Sequence, residues 1–429
     1  MNICFPQKYV KFIVATVLFC LIYYPPLFSF NILHLIGGGS LLYIGLNIGW
    51  TRSIIHNKKF FKLIVGFMLS LVYLSVIITI SDIGTFSAIY DYLYFLMDVI
   101  PFGIAVTVVF EKNNISCKAI MDIGIAVAVV QAILSSLAFM IPSFHMAIIY
   151  RMIDYGYPRD TLLEMAGYRL YGFANGMSYS TAIFQSLMAI IALNRAIRGE
   201  KKYYIASMLL GFSGFVNART SMIVIIVGIG AILFLSDLPI AKKFFFTVLS
   251  LGLLVVGVMG GYYFIFDKVP QESANWIMEG IEEIINFVNG DPGRIGETFF
   301  AYMVSGENWK LPEKMIAKLF GTGAFSRDVA IANVGTDIGY VNDIWRGGLF
   351  FATSTYLFFY IMMSRLLKNY DKDTRFYGIL CMLLFPLLNI KGQIFGMNDV
   401  TNFLIVMNIV NCYEKQCLKY DNYSLEGVA

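Results

Sequence analysis

Long apolar runs separated by short polar breaks recur from one end of the chain to the other. A helix that crosses a bilayer needs about 20 mostly apolar residues. Runs of this kind lie near 9–29, 31–49, 60–80, 92–110, 119–141, 175–193, 203–216, 221–236, 244–265, 347–363, 376–390 and 400–413. The pattern predicts an all-α polytopic membrane protein with about 12 transmembrane helices, built as a single integral membrane domain over 1–429. The first run follows Lys8 and Lys11 but has Pro25-Pro26 where a cleavage site would stand, so it reads as a span and not as a leader.

Two segments between the runs are long, roughly 142–174 and 266–346. Within the second, Ile277, Ile281, Ile284, Ile285 and Val288 recur at helical spacing, while Glu279, Glu282 and Glu283 fall largely off that stripe. This predicts an amphipathic helix on the membrane or on the bundle. A second short helix is expected over 312–320, stopped by Gly321. A segment this rich in Ile, Phe, Trp and Tyr is not expected to be disordered.

Charge sets the orientation. With the N-terminus inside, the short inner segments collect Arg52, Lys58, Lys59, Lys62, Lys112, Lys118, Arg195, Arg198, Lys201, Lys202, Lys242, Lys243, Arg365, Lys368, Lys372 and Arg375. Short outer turns carry little that is basic beyond Arg219 and Lys391. The excess of Lys and Arg on inner loops places both termini in the cytoplasm and both long segments on the outer face.

Composition agrees with a membrane protein: 58% of residues are hydrophobic and 14% charged, with mean hydropathy +0.70. Soluble domains carry about 25% charged residues. The net charge of +4 and the absence of a basic tract with interleaved aromatics argue against nucleic acid as a partner. None of the six cysteines falls in a predicted outer loop, so no disulfide framework is implied. The three histidines are scattered, and no metal or other cofactor is expected.

Three stretches carry candidate chemistry. Asn217-Ala218-Arg219-Thr220-Ser221 stands at a minimal outer turn that opens a span. Thr220 or Ser221 can cap that helix, and its free N–H groups and dipole then face outward. With the Arg219 guanidinium, this suits an oxyanion or diphosphate; the plain alternative is an arginine that snorkels to lipid headgroups. Gly167-Tyr168-Arg169-Leu170-Tyr171-Gly172 runs straight into a span. Its tyrosines are explained by interfacial anchoring, or by aromatic faces that meet a sugar while Arg169 meets phosphate. Arg151 and Arg159 lie nearby as weaker candidates.

The third stretch runs from Gly321-Thr322-Gly323 to Gly335-Thr336-Asp337-Ile338-Gly339-Tyr340-Val341-Asn342-Asp343. Glycine turns let backbone approach a ligand. Asp337 and Asp343 can each act as a general base on a sugar hydroxyl, cap a helix or pair with Arg346. Arg294 is a further candidate ligand of a diphosphate. Asp371-Lys372-Asp373 reads as a solvated loop, and Asp98 and Asp122 are acids in or near spans.

These three stretches, in their chain order of 168–172, 217–221 and 319–340 and on one face, resemble the bacterial O-antigen polymerase (Wzy) family, within the wider group that includes the O-antigen ligases. The resemblance implies a GT-C-like fold of the bacterial inner membrane with a large periplasmic loop containing short helices. It implies a metal-independent glycosyltransferase that moves a growing glycan from undecaprenyl diphosphate to the non-reducing end of a lipid-linked repeat unit. Carried over residue by residue, it points to Arg169, Arg219, Arg294 and Asp337 as catalytic. Arg151, Arg159, Tyr171, Asn217 and Tyr340 would bind substrate, and Glu297 is the other candidate base. Partners implied are the undecaprenyl-diphosphate-linked oligosaccharides, membrane lipid and a chain-length regulator protein. The similar ligases are expected to hold a histidine in the large outer loop, and 266–346 has none. A ligase acting on lipid A core, or a flippase for the lipid-linked oligosaccharide, is the alternative.

Overall fold

The structure is a computed structural model. It describes residues 6–26, 31–166, 169, 172–174, 179–235, 239, 241–245, 248, 252, 282, 306–325 and 336–426, with side chains through Cys412. Those residues are mostly helical, with no strand among them. The expected span at 244–265 and the amphipathic helix at 277–288 lie outside them apart from single residues, as do Tyr168, Tyr171, Arg294 and Glu297.

Among the described residues, five helices are long and apolar enough to cross a membrane, or six if one sharply bent pair counts as a span. Two further apolar helices, Thr220–Leu235 and Asp399–Cys412, are shorter. The chain divides into two compact units. One comprises Met1–Ile22, Ile32–Ile123 and Ser305–Ala429; the other comprises Tyr23–Asn31 and Gly124–Val304.

In the first unit, α1 (Gln7–Tyr23) is followed by α2 (Ile32–Leu46) and α3 (Ile48–Ile55), which are bent by 103° to each other. α4 (Lys58–Ile80) starts at Asn57, whose side chain accepts from the Lys59 N–H at 2.9 Å. α5 (Ser87–Lys112) widens into a π turn at Phe95–Val99. Pro101 follows at once; it has no N–H for the carbonyl of Met97, and a widened turn accommodates that lost bond. Against this turn lies Gly37 of α2, where a Cβ would come within 2.5 Å of the Met97 carbonyl oxygen. One turn earlier on α2, His34 Nδ1 meets Asp98 Oδ2 at 3.1 Å.

The core of this unit is aromatic. Phe67 of α4 has Phe358, Phe95, Tyr92 and Phe359 around it, with ring centroids 5.0–6.3 Å away. Tilted and edge-on rings of this kind add stability beyond area burial. The other side of α4 is bare and apolar: Phe61, Met68, Leu69, Val72, Val76 and Ile80 are all exposed. A stripe of this kind suits lipid, not water.

α6 (Ala119–Met140) runs from the first unit into the second. The second unit continues with α7 (Pro142–Asp154), α8 (Arg159–Ala166), α9 (Ser180–Ile197), α10 (Tyr203–Asn217) and α11 (Thr220–Leu235). Every residue of α9 is buried. The long segment expected at 142–174 is therefore largely a pair of helices, with a small core of Ile148, Ile149, Met152 and Leu162.

The first unit ends with α12 (Met315–Phe320), α13 (Gly339–Leu367), α14 (Lys372–Leu388) and α15 (Asp399–Glu426). The short helix expected at 312–320 is present and stops at Gly321. The span expected at 347–363 begins earlier, at Gly339, and is broken at Gly348. Asp371 caps α14, its carboxylate accepting from Thr374 N at 2.9 Å and Oγ1 at 2.8 Å. That explains the Asp-Lys-Asp run as a helix start.

Candidate functional site

Three helices of the second unit share a polar interior at one end. α9 and α10 run antiparallel, and the Ser213 hydroxyl donates to Gln185 Oε1 at 3.0 Å. One residue along, a Cβ on Gly214 would strike Ser186 Oγ, so the glycine lets the two backbones close on each other. Asn217, the last residue of α10, is buried and donates from Nδ2 to the Ser213 carbonyl at 2.8 Å. α11 runs parallel to α9, with Gly228 against Ile190. Counting back along both helices puts Thr220 and Ser221 within about one turn of Gln185 and Ser186.

Four polar atoms in this layer are buried without a hydrogen-bond partner: Gln185 Nε2, Ser186 Oγ, Thr220 Oγ1 and Ser221 Oγ. Buried polar groups are normally paired, because leaving one unpaired costs about 1–3 kcal/mol. A cluster of them at a helix end is a place where a polar guest is favoured. Arg219 stands half-buried in the turn that opens α11.

The expected cap is not formed. Thr220 and Ser221 bond no backbone N–H with their hydroxyls. The N–H groups of Ser221 and Met222 close a tight turn onto the carbonyls of Ala218 and Arg219, at 3.0 Å each. The helix end therefore offers side-chain hydroxyls, with those two N–H groups already used locally.

The Arg169 segment is held on α6. Arg169 is half-buried, and its N–H donates to Met165 O at 2.9 Å. Past it, Gly172 has φ +55 and sits in a polar notch. A Cβ there would lie 2.8 Å from Gln131 Nε2 and 2.9 Å from Ser135 Oγ. The Phe173 N–H donates to Gln131 Oε1 at 3.2 Å. Gly172→Ala is expected to lift this segment from α6 and cost about 1–3 kcal/mol. Faster proteolysis between Ala166 and Ala174 in the purified variant is the measurement, and unchanged protection would count against this account of the notch.

The weaker arginines are not gathered into the polar layer by any contact among the described residues. Arg151 makes an exposed pair with Asp154 at 3.8 Å, an arrangement worth little in water. Arg159 is exposed at the start of α8. His145 of α7 is buried, and its Nε2 has no hydrogen-bond partner. Burial pushes its imidazole below the usual histidine range. The neutral ring is the one that packs, so the stabilisation is complete above the free value of about 6.5 and is lost as pH falls through the lowered one. Acidification is expected to loosen α7, read as increased proteolysis around 142–154, and His145→Leu is expected to abolish that dependence.

A second polar centre lies in the first unit, at the break in α13. Gly348 adopts φ 73, ψ 179 inside the helix. The carbonyls this releases are taken up by the 320–323 loop. Thr322 donates to Trp345 O from N and from Oγ1, each at 2.8 Å, and Gly323 N donates to Arg346 O at 3.0 Å. The Tyr73 hydroxyl reaches Gly347 O at 3.0 Å. In a bilayer, broken helix is tolerated only where its backbone groups are satisfied in this way.

Just before the break, Arg346 is almost fully buried. It donates from Nη1 to Asp91 at 2.8 Å and from Nε to Ala88 O at 2.6 Å, between the rings of Tyr92 and Phe325. Asp343 does not pair with Arg346 by hydrogen bond. It accepts from Tyr356 Oη at 2.7 Å, Gln393 Nε2 at 2.7 Å and Asn389 Nδ2 at 3.2 Å. Asp337 is exposed and faces Lys391 at 3.5 Å. Tyr340 donates its hydroxyl to Pro386 O at 2.9 Å, and its ring stacks on Trp309 with centroids 6.3 Å apart.

The sequence reading missed Gln185, Ser186, Ser213, Asp91, Gln393 and Asn389. Polar residues inside apolar runs were the available signal, since a Gln or Asn there needs a partner. No family model, curated protein or solved structure matches this chain.

Proposed function

We propose that the chain is a GT-C-like membrane glycosyltransferase of about 12 spans, an O-antigen or related surface-polysaccharide polymerase of the bacterial inner membrane. It moves a growing glycan from undecaprenyl diphosphate to the non-reducing end of a second lipid-linked repeat unit on the periplasmic face. The observation that carries this reading is the layer of buried, unpartnered hydroxyl and amide groups beside Arg219 at one end of the α9–α11 bundle. Sugars and diphosphates are dense in polar atoms that such a layer can pair.

In the reaction the acceptor hydroxyl oxygen bonds to the anomeric carbon as the bond from that carbon to the diphosphate breaks. The leaving diphosphate gathers negative charge, and Arg219, Arg169 and Arg294 clamp it, because guanidinium stays charged and binds phosphate by a fork. The hydroxyl proton passes to Asp337 or Glu297. Orienting two tethered lipids supplies much of the rate, since the diphosphate is already a good leaving group.

The test is a gene deletion followed by electrophoresis of surface glycan. A polymerase deletion leaves lipid core bearing one repeat unit, and plasmid-borne wild type restores the ladder. Bare core in the deletion would overturn the reading in favour of a ligase or a flippase. The flippase deserves a place because α13 is discontinuous at Gly348 beside the buried Asp343 and Arg346, and broken helices with polar sites are typical of transporters.

A further inference from the structure

At the opposite end of the first unit from Gly348, the last turn of α13 meets the first turn of α4 and the middle of α15. Lys59, Ser364, Arg365, Lys368, Asn369 and Asn411 line an open cavity of about 130 Å³, several times the roughly 10–15 Å³ that one water needs by the same measure. Among the described lining residues three are cations and none is an acid. Arg365 Nη1 donates to the Lys59 carbonyl at 3.2 Å, which ties the end of α13 to the start of α4. An anion among these cations is favoured by Coulomb attraction.

The back wall is rigid and polar. Asn369 Nδ2 donates to Asn411 Oδ1 at 2.6 Å, Asn411 Nδ2 to Met407 O at 2.8 Å, and Asn57 Nδ2 ties α4 to Cys412 O at 3.0 Å. The surroundings distinguish a lipid from a free anion. Phe61 on α4 and Ile361 and Leu357 on α13, within two turns of the cavity residues, are exposed and apolar, as acyl chains require. Tyr370, 81% exposed, stands at the rim, where tyrosine marks a membrane–water interface.

We propose that this cavity binds the headgroup of an anionic phospholipid, such as phosphatidylglycerol, from the adjacent leaflet. By the distribution of Lys and Arg that leaflet is the cytosolic one. The phosphate sits among Lys59, Arg365 and Lys368, and the acyl chains lie along α4 and α13. The proposal rests on the membrane reading of the chain and not on the glycosyltransferase reading.

The experiment is native mass spectrometry of the full chain in detergent, titrated with phosphatidylglycerol or phosphatidylcholine. Wild type is expected to hold one phosphatidylglycerol preferentially. The Lys59→Gln/Arg365→Gln/Lys368→Gln variant is expected to bind it about 100-fold more weakly, on the order of 5-fold per cation. Ser364→Phe keeps every charge, fills the cavity and is expected to lose the lipid as well, which covers the case in which the triple variant does not fold. A charge-matched Lys8→Gln/Lys11→Gln/Lys201→Gln variant is expected to bind like wild type. Equal loss in that control, or full retention by Ser364→Phe, would overturn the proposal. Displacement of the lipid by millimolar inorganic phosphate would overturn it too, in favour of a free-anion site.

Discussion

Arg219→Ala is expected to reduce chain elongation in cells by about 100- to 1000-fold, the usual effect of removing one preorganised donor from a developing oxyanion. Its protein level is expected to stay at that of wild type. The two readouts separate the roles open to this side chain. An arginine that only anchors a helix end contributes little to stability at a half-exposed position and has no bearing on glycan length. An arginine that clamps a diphosphate acts in the transition state, so its loss appears in the product and not in the amount of protein. Arg219→Lys retains the charge and loses the planar fork, and is expected to fall between the two. A full ladder from the Arg219→Ala strain, with the protein present at normal amounts, would end the assignment of this turn as part of the site.

The largest expected effect on stability comes from Gly348→Ala. The backbone there has φ 73, ψ 179, a region essentially closed to any residue with a Cβ, at a strain of about 1–3 kcal/mol. The Cβ would also run into the Leu319 backbone and the Phe320 N. Gly321, with φ 85, meets Gly347 from the other side, where a Cβ would lie 2.5 Å from the Gly347 carbonyl carbon. Two backbones are thus pressed together at glycines. Separating them unseats Thr322 and Gly323 from the carbonyls of Trp345 and Arg346, two buried residues whose carbonyls then lack those partners. The sum is expected to exceed about 3 kcal/mol, a large part of a typical folding free energy. Thermal denaturation in detergent should show a markedly lower midpoint and poor yield. Gly230→Ala, where a Cβ meets nothing within 4 Å, is the control and is expected to be neutral or mildly stabilising. Equal behaviour of the two variants would remove the break in α13 from the list of structural necessities.

The polar centres differ in how visible they are along the chain. Arg219 could be noticed because a basic residue in a minimal outer turn opposes the charge bias of its neighbours. The Arg169 stretch stood out through its glycines and tyrosines, and Gly172 proves to be there for the Gln131 and Ser135 notch. Gln185 and Ser186 passed as ordinary members of an apolar run, since nothing local marks which face of a helix meets a polar neighbour. Arg346 was legible as a candidate ion-pair partner, but its true partner, Asp91, lies 255 positions away, and the nearer Asp343 is held by Tyr356, Gln393 and Asn389.

What the sequence alone determined is that the chain is helical and apolar enough for a membrane, where most of its long apolar helices lie, and which turns carry unusual charge. Those are properties of windows of about 20 residues, because transfer of apolar surface into lipid adds up residue by residue. Only the tertiary structure decided that α13 breaks at Gly348, that 142–166 folds into packed helices, and which buried polar atoms share an interior. Each of these depends on which helix faces and loops come into contact, and such contacts leave no periodic trace in the order of residues.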